Sequence, residues 1–197
     1  IMSFRKEIKL RLNKSKIYSF KDLLSSRGAE TIYPKRIVSS LYFDTNNKNC
    51  YKDSIEGVIP RKKIRIRNYP EDDTKMFLFE KKISSAEGRF KISKKISLTD
   101  VNKIITFGHF DKMYGHLKPI MHIEYIREYY RHKNYRITID SKINYRLFKK
   151  KFYKNDPMSI VELKYNIKLD DDVIINSFSN KTTRFSKYSN GLNLLNL

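Results

Sequence analysis

The feature that most constrains this chain is a period-two alternation in which charge recurs on one parity. Successive side chains of a strand project to opposite faces, so residues two apart share a face. Between Ser3 and Leu12, Arg5, Glu7, Lys9 and Arg11 fall on one side and Phe4, Lys6, Ile8 and Leu10 on the other. Lys63, Arg65 and Arg67 share a face opposite Ile64 and Ile66, Glu80 shares one with Lys82, and Glu162 and Lys164 stand opposite Val161 and Leu163. A solvated sheet face accounts for any one of these strands. It accounts poorly for the repetition, since four separated segments carry charges two apart and three have the order Glu-x-Lys. A closed barrel with a polar lumen and an apolar exterior wrapped by helices produces this pattern. Charges enclosed in that way must be paired or ligand-bound.

The remaining pattern also reads as strand-rich. Strands are predicted over 36–44, within 57–69, over 75–83 and 89–98 as a hairpin, and over 119–132, 135–140, 144–152 and 158–165. Short helices are predicted over 20–26, from Thr99 or Asp100 as cap to about Phe107, and over 170–178, where Asp170, Asp171 and Asp172 suit a helix N-terminus. The tail from Phe185 holds a Ser-Lys-Tyr-Ser segment and a final apolar stretch. About eight strands with only short helices imply a barrel or sandwich. With 197 residues and no linker or internal repeat, residues 1–197 read as a single domain.

Lys+Arg 42 against Asp+Glu 21 gives a formal charge of +21. Part of that reflects a general Lys/Asn/Ile bias; the rest calls for an anionic partner, whether nucleic acid, acidic membrane or a phosphate-rich small molecule. A hydrophobic fraction of 40% excludes a disordered polycation. Cys50 stands alone, which rules out an intramolecular disulfide and favours a reducing compartment. No apolar run approaches the roughly 20 residues of a membrane span, and no signal peptide is visible. No Ser-His-Asp or Cys-His arrangement and no Gly-rich phosphate loop is present, and His109, His116, His122 and His132 have no metal-cluster spacing. A basic lumen with a few carboxylates suits a phosphate chain: Arg forks grip phosphate oxygens, Lys adds point charge, and Glu holds a bridging Mg²⁺ or Mn²⁺. Phosphoryl transfer then needs positioning and charge neutralisation, with no nucleophilic side chain.

Taken together and in order, several segments resemble the polyphosphate polymerase (VTC) domain of the vacuolar transporter chaperone family, within the CYTH and triphosphate tunnel metalloenzyme superfamily. They are Arg5-Lys6-Glu7-Ile8-Lys9, Ser40 to Thr45, Tyr51, Gly57, Arg61 to Tyr69, Phe79-Glu80-Lys81-Lys82, Tyr125-Ile126-Arg127, Arg136 to Asp140, Val161 to Tyr165 and Ser186-Lys187-Tyr188. The resemblance implies a mainly β (α+β) fold: a closed antiparallel eight-stranded tunnel barrel with short flanking helices. It implies that Lys9, Arg65, Arg67, Lys82, Arg127, Arg136, Lys164 and Lys187 contact the phosphate chain, with Arg184 and Ser186 near the tunnel mouth and Tyr125 as a hydrogen-bond donor. Lys63, on the face of Arg65 and Arg67, and Lys91 complete the substrate-binding set; in the segment where the match loosens, Lys91 and Lys95 share one parity and either can face inward. The resemblance further implies that Lys9, Arg65, Arg67, Arg127 and Glu162 carry the catalytic role, with Glu162 as the principal metal ligand and Glu7 and Glu80 as either weaker ligands or ion-pair partners. Arg5 stands where the wider superfamily often has the first Glu of a Glu-x-Glu-x-Lys opening, which favours the polymerase-like branch.

The implied activity is a metal-dependent polyphosphate polymerase that moves the γ-phosphate of ATP onto a growing chain, with Mn²⁺ or Mg²⁺ as cofactor. A triphosphatase acting on inorganic, nucleoside or RNA 5′-triphosphates in the same tunnel is the alternative enzyme. A non-catalytic polyphosphate- or nucleic-acid-binding module is the alternative outside enzymology; its support is the charge and clusters such as Lys149-Lys150-Lys151. The absence of a nucleic-acid motif argues against that partner. The membrane segments and SPX sensor domain of eukaryotic relatives are not in this sequence, so a cytoplasmic setting is expected, with any membrane partner subunit or domain lying outside it. Tyr42, Phe43, Tyr69 and Tyr165 read as packing residues, Asp44 as a turn cap or a site residue, and Asp140 as a partner for a lumen Arg.

Overall fold

The structure is a computed structural model, and it describes residues 5–166 and 182–196. Its elements in chain order are β1 (Arg5–Leu12), α1 (Lys14–Ser26), β2 (Glu30–Asp44), α2 (Asn49–Glu56), β3 (Arg61–Asn68), β4 (Phe77–Ser85), β5 (Gly88–Ile96), α3 (Leu98–Phe107), β6 (His109–Asp111), β7 (Gly115–His132), β8 (Tyr135–Leu147), β9 (Tyr153–Asn155), β10 (Ser159–Asn166) and α4 (Lys187–Leu194). The strands join in one sheet of order β1-β10-β8-β7-β2-β3-β4-β5, with β6 added to β7 and β9 to β8. The expected class, mainly antiparallel β with an eight-strand path of the tunnel-barrel kind and short helices, is what the strands form.

Several boundaries differ from the sequence reading for local reasons. Helix α1 begins at Lys14, earlier than predicted, because the Asn13 side chain accepts from the Lys16 N–H and caps it. Helix α2 was not expected, since its N-cap position is Lys48, which offers no side-chain bond. Its cap comes from strand β2 instead: Asp44 accepts from the N–H groups of Cys50 and Tyr51. In α3 the cap is Ser97, and Asp100 closes a capping box from the third helical position. The predicted break between 140 and 144 is only a local kink, with Lys142 at φ 50°, so β8 runs unbroken to Leu147. The tail forms α4, capped by Ser186. The helix expected over 170–178 lies outside the described residues.

By its contacts the chain divides into two compact units: Ile1–Arg36, Tyr125–Ile143 and Asn155–Phe185 form one, and Ile37–Glu124, Asn144–Lys154 and Ser186–Leu197 the other. In the first unit α1 lays Ile17, Phe20 and Leu24, spaced as one helical stripe, onto Leu10 and Leu12 of β1, Ile137 and Ile139 of β8 and Val161, Leu163 and Tyr165 of β10. Each such aliphatic or aromatic side chain contributes about 1.5–3 kcal/mol by leaving water. Because α1 takes this face, the charged parity of the same strands occupies the opposite one. In the second unit Val38, Phe43, Cys50, Ile64, Met121, Tyr145, Tyr188 and Leu192 are buried. Gly191 lets α4 approach closely here: a Cβ in its place would stand 2.4 Å from Cδ1 of Tyr145 and 2.9 Å from Sδ of Met121. Among the described residues no helix is long and apolar enough to cross a membrane.

Candidate active site

The first unit assembles one charged face from β1, β10 and β8. The ladders set Lys9 opposite Glu162 and Glu7 opposite Lys164, then Glu162 opposite Thr138 and Lys164 opposite Arg136. The charges pair both along and across these strands. Lys164 Nζ lies 2.8 Å from Glu162 and 3.8 Å from Glu7, and Lys9 Nζ lies 2.9 Å from Glu7. Lys9 also donates to the Phe185 carbonyl at 3.1 Å. Arg127 reaches in from β7 and grips both oxygens of Asp140, at 2.6 and 2.7 Å, with the Tyr125 ring 5.2 Å from its guanidinium carbon. Asp140 is fully buried, so its expected role as partner of a site arginine holds.

Electrostatics keep Glu162 and Arg127 charged. Burial, which leaves only 12% of the Glu162 side chain exposed, acts to raise its pKa. Lys164, Arg127 and Lys9 outweigh that and hold the carboxyl well below the usual range. Burial works against the Arg127 charge too, and Asp140, Tyr125 and Glu162 overcome it, so the guanidinium stays protonated.

The second unit builds a more strongly cationic face on β3, β4 and β5. Lys63, Arg65 and Arg67 stand opposite Lys82, Glu80 and Leu78, and Lys82 and Glu80 stand opposite Lys91 and Ser93. Glu80 is wholly buried. Arg65 binds its Oε2 through Nε and Nη2, each at 2.6 Å, Arg67 Nε lies 3.8 Å away, and Lys91 Nζ lies 2.5 Å from Oε1. Burial alone would raise the Glu80 pKa; these cations bring it down to about 2. Its Oε2 is thus bonded by Arg65, and its Oε1 lies beside the Lys91 ammonium. Tyr42 on β2 accepts from Arg65 Nη1 at 2.7 Å and stacks on Tyr188 of α4. The Tyr188 hydroxyl donates to Asp44. Lys63 Nζ donates to Ser186 Oγ at 2.8 Å. Lys187 opens α4, and Arg184 is exposed.

The predicted site residues divide between the two units. Lys9, Arg127, Arg136, Glu162, Lys164, Glu7, Tyr125 and Arg184 belong to the first, and Lys63, Arg65, Arg67, Lys82, Glu80, Lys91, Ser186 and Lys187 to the second. The supporting part of Tyr42, read as packing, was detectable: Ser40, Tyr42 and Asp44 alternate on β2, and the register sets Ser40 and Tyr42 against Arg67 and Arg65.

Among the described residues no cluster of three or more His, Cys, Asp or Glu gathers as a ready-made metal cage. The donor set that does occur is the hard, ionised Glu162 carboxylate, sharing Lys164 with Glu7. That set fits a Mg²⁺-like ion, which takes one or two carboxylates and completes its shell with waters and substrate phosphates.

Among the described residues, the antiparallel sheet presents basic, carboxylate-bearing strand faces, the arrangement expected of a tunnel fold. The sequence matches the VTC domain family over residues 4–196, and the chain belongs to that family. Its fold is shared by a candidate adenylate cyclase of Bacillus halodurans, 16% identical with TM-score 0.58 over 92% of this chain and 95% of that one. It is shared too by one of Vibrio parahaemolyticus, 14% identical with TM-score 0.59 over 98% and 99%. A third is the candidate adenylyl cyclase HpAC1 of Hippeastrum, said to have a dominant triphosphatase activity, at 15% identity and TM-score 0.59 over 94% of each chain. Comparison with curated proteins gave no match.

Proposed function

We propose that this chain is a polyphosphate polymerase that uses ATP. The observation that carries the reading is the charged face where Lys9, Lys164 and Arg127 surround an ionised, nearly buried Glu162; membership of the VTC domain family supports it. A terminal phosphate oxygen of the growing chain attacks the γ-phosphorus of ATP, the bond from γ-phosphorus to the bridging oxygen breaks, and ADP leaves. Lys9 and Arg127 on the first unit's face, and Arg65 and Arg67 on the second unit's, are the groups proposed to neutralise phosphate charge, each on its own face. Lys63, Lys82, Lys91, Tyr125, Arg136, Lys164, Arg184, Ser186 and Lys187 hold the rest of the phosphate chain. Glu162, with Glu7 beside it, would hold Mn²⁺ or Mg²⁺. The ion would supply charge neutralisation at the phosphate oxygens. Glu80 belongs to the ion-pair framework that orients Arg65, Arg67 and Lys91.

Incubation with ATP and Mn²⁺ is expected to give phosphate chains visible as a ladder on a gel, with ADP as co-product. ADP with only free phosphate would favour the second reading, a triphosphatase, in which water takes the place of the acceptor. That reading draws on the activity attributed to the Hippeastrum protein. A cytoplasmic setting, where ATP is available and thiols stay reduced, suits the lone buried Cys50.

A further inference from the structure

The charged face of β8 holds one group that neither the ion pairs nor the apolar core explains. Thr138 is 6% exposed. Its Oγ1 is closed off from solvent and has no hydrogen-bond partner among the described residues. It lies between Arg136 and Asp140 on their parity and directly opposite Glu162 across the ladder. Its acidic neighbours are already committed, Asp140 to Arg127 and Glu162 to Lys164. A buried hydroxyl without an acceptor works against the ligand-free fold, whereas valine, of the same shape and equally at home in a strand, would bring no such cost.

We infer that Thr138 is a ligand-dependent donor whose O–H binds an oxygen of the phosphate chain when that chain lies on this face. The inference rests on the phosphate-binding reading above and names a contact that the charged residues do not provide. Ammonium groups attract phosphate as point charges from many directions, while a hydroxyl fixed on a strand donates along one. Thr138 therefore sets where a phosphate rests, and the lysines set how strongly it is drawn in.

The test compares wild type, Thr138→Val and Thr138→Ser in metal-free buffer, by thermal melting without ligand and by calorimetric titration with tripolyphosphate. Thr138→Val is expected to melt at or above the wild-type temperature and to bind tripolyphosphate about tenfold more weakly, the value of one hydrogen bond to a charged group. Thr138→Ser is expected to recover most of the affinity. A Thr138→Val protein that melts below wild type would show that the hydroxyl is bonded in the free protein, and undiminished affinity would show that it never meets the anion; either result overturns the inference. Wild-type protein that binds no tripolyphosphate overturns the functional reading and this inference with it.

Discussion

Glu162 and Glu80 are both carboxylates among cations, yet their surroundings give them different work. Glu162 keeps a small part of its side chain exposed and has Lys164 beside it, while Glu80 is sealed, with Arg65 on one oxygen and Lys91 next to the other. Glu162→Gln should lower metal-dependent turnover by at least about 100-fold, since loss of a mere hydrogen-bond partner of a metal ligand already costs up to that much. The circular dichroism spectrum should not change, and full activity in that variant would remove Glu162 from the metal site. Glu80→Gln should instead destabilise the fold by about 3–5 kcal/mol, because it strands buried Arg65 and Arg67 without their counter-charge. A pH dependence follows. The Glu80 pKa falls from an ordinary 4.5 to about 2 in the fold. Asp111, buried and bonded by Lys62, the Met113 N–H and Lys81, falls from 3.8 to about 2. A depressed carboxyl pKa contributes stability that is complete above the unfolded value and lost as pH falls through the folded one. Denaturant midpoints should therefore hold steady above pH 4.5, drop between there and about 2, and drop less steeply in Glu80→Gln.

At the scale of elements, the second unit is tied together by one strand-end residue. Asp44 accepts from the N–H groups of Thr45, Cys50 and Tyr51 and from the Tyr188 hydroxyl, so it caps α2 and anchors α4 together. Asp44→Ala should cost about 3 kcal/mol, as expected when several bonds to a charged group are lost. Amide exchange should quicken in both 49–56 and 187–194; quickening in α2 alone would show that Tyr188 does not depend on Asp44. Gly191→Ala should likewise loosen α4, because the gain in helix propensity is smaller than the clash with Tyr145 and Met121. These elements also mark where the sequence was legible. The charged strands were readable because period two needs only neighbours, and Lys63, Arg65 and Arg67 project together wherever their strand goes. Helix α2 was not, since its cap sits on another element four residues upstream of Lys48, and a local reading finds only a poor capping residue there. The reading of β8 as two strands failed because a polar Ser-Lys stretch resembles a turn, although one left-handed residue is enough to keep the strand going.

On the scale of the whole molecule, a formal charge of +21 draws any anion to the surface, so charge alone cannot separate a phosphate site from general attraction. Position separates them. Lys82→Ala, on the cationic face opposite Lys63 and Lys91, should weaken tripolyphosphate binding by about tenfold. Lys150→Ala, in the exposed Lys149–Lys151 cluster, should change it less than twofold, about what removing a solvated surface charge does. Equal losses in the two variants would mean that affinity comes from the overall field. The most direct measurement is a crystal structure with tripolyphosphate bound. Its phosphates are expected against the charged strand faces, in contact with Lys9, Arg127 and Lys164 or with Lys63, Arg65 and Lys82. Phosphates held only by outlying lysines such as Lys149 to Lys151, with those strand faces bare, would contradict the account.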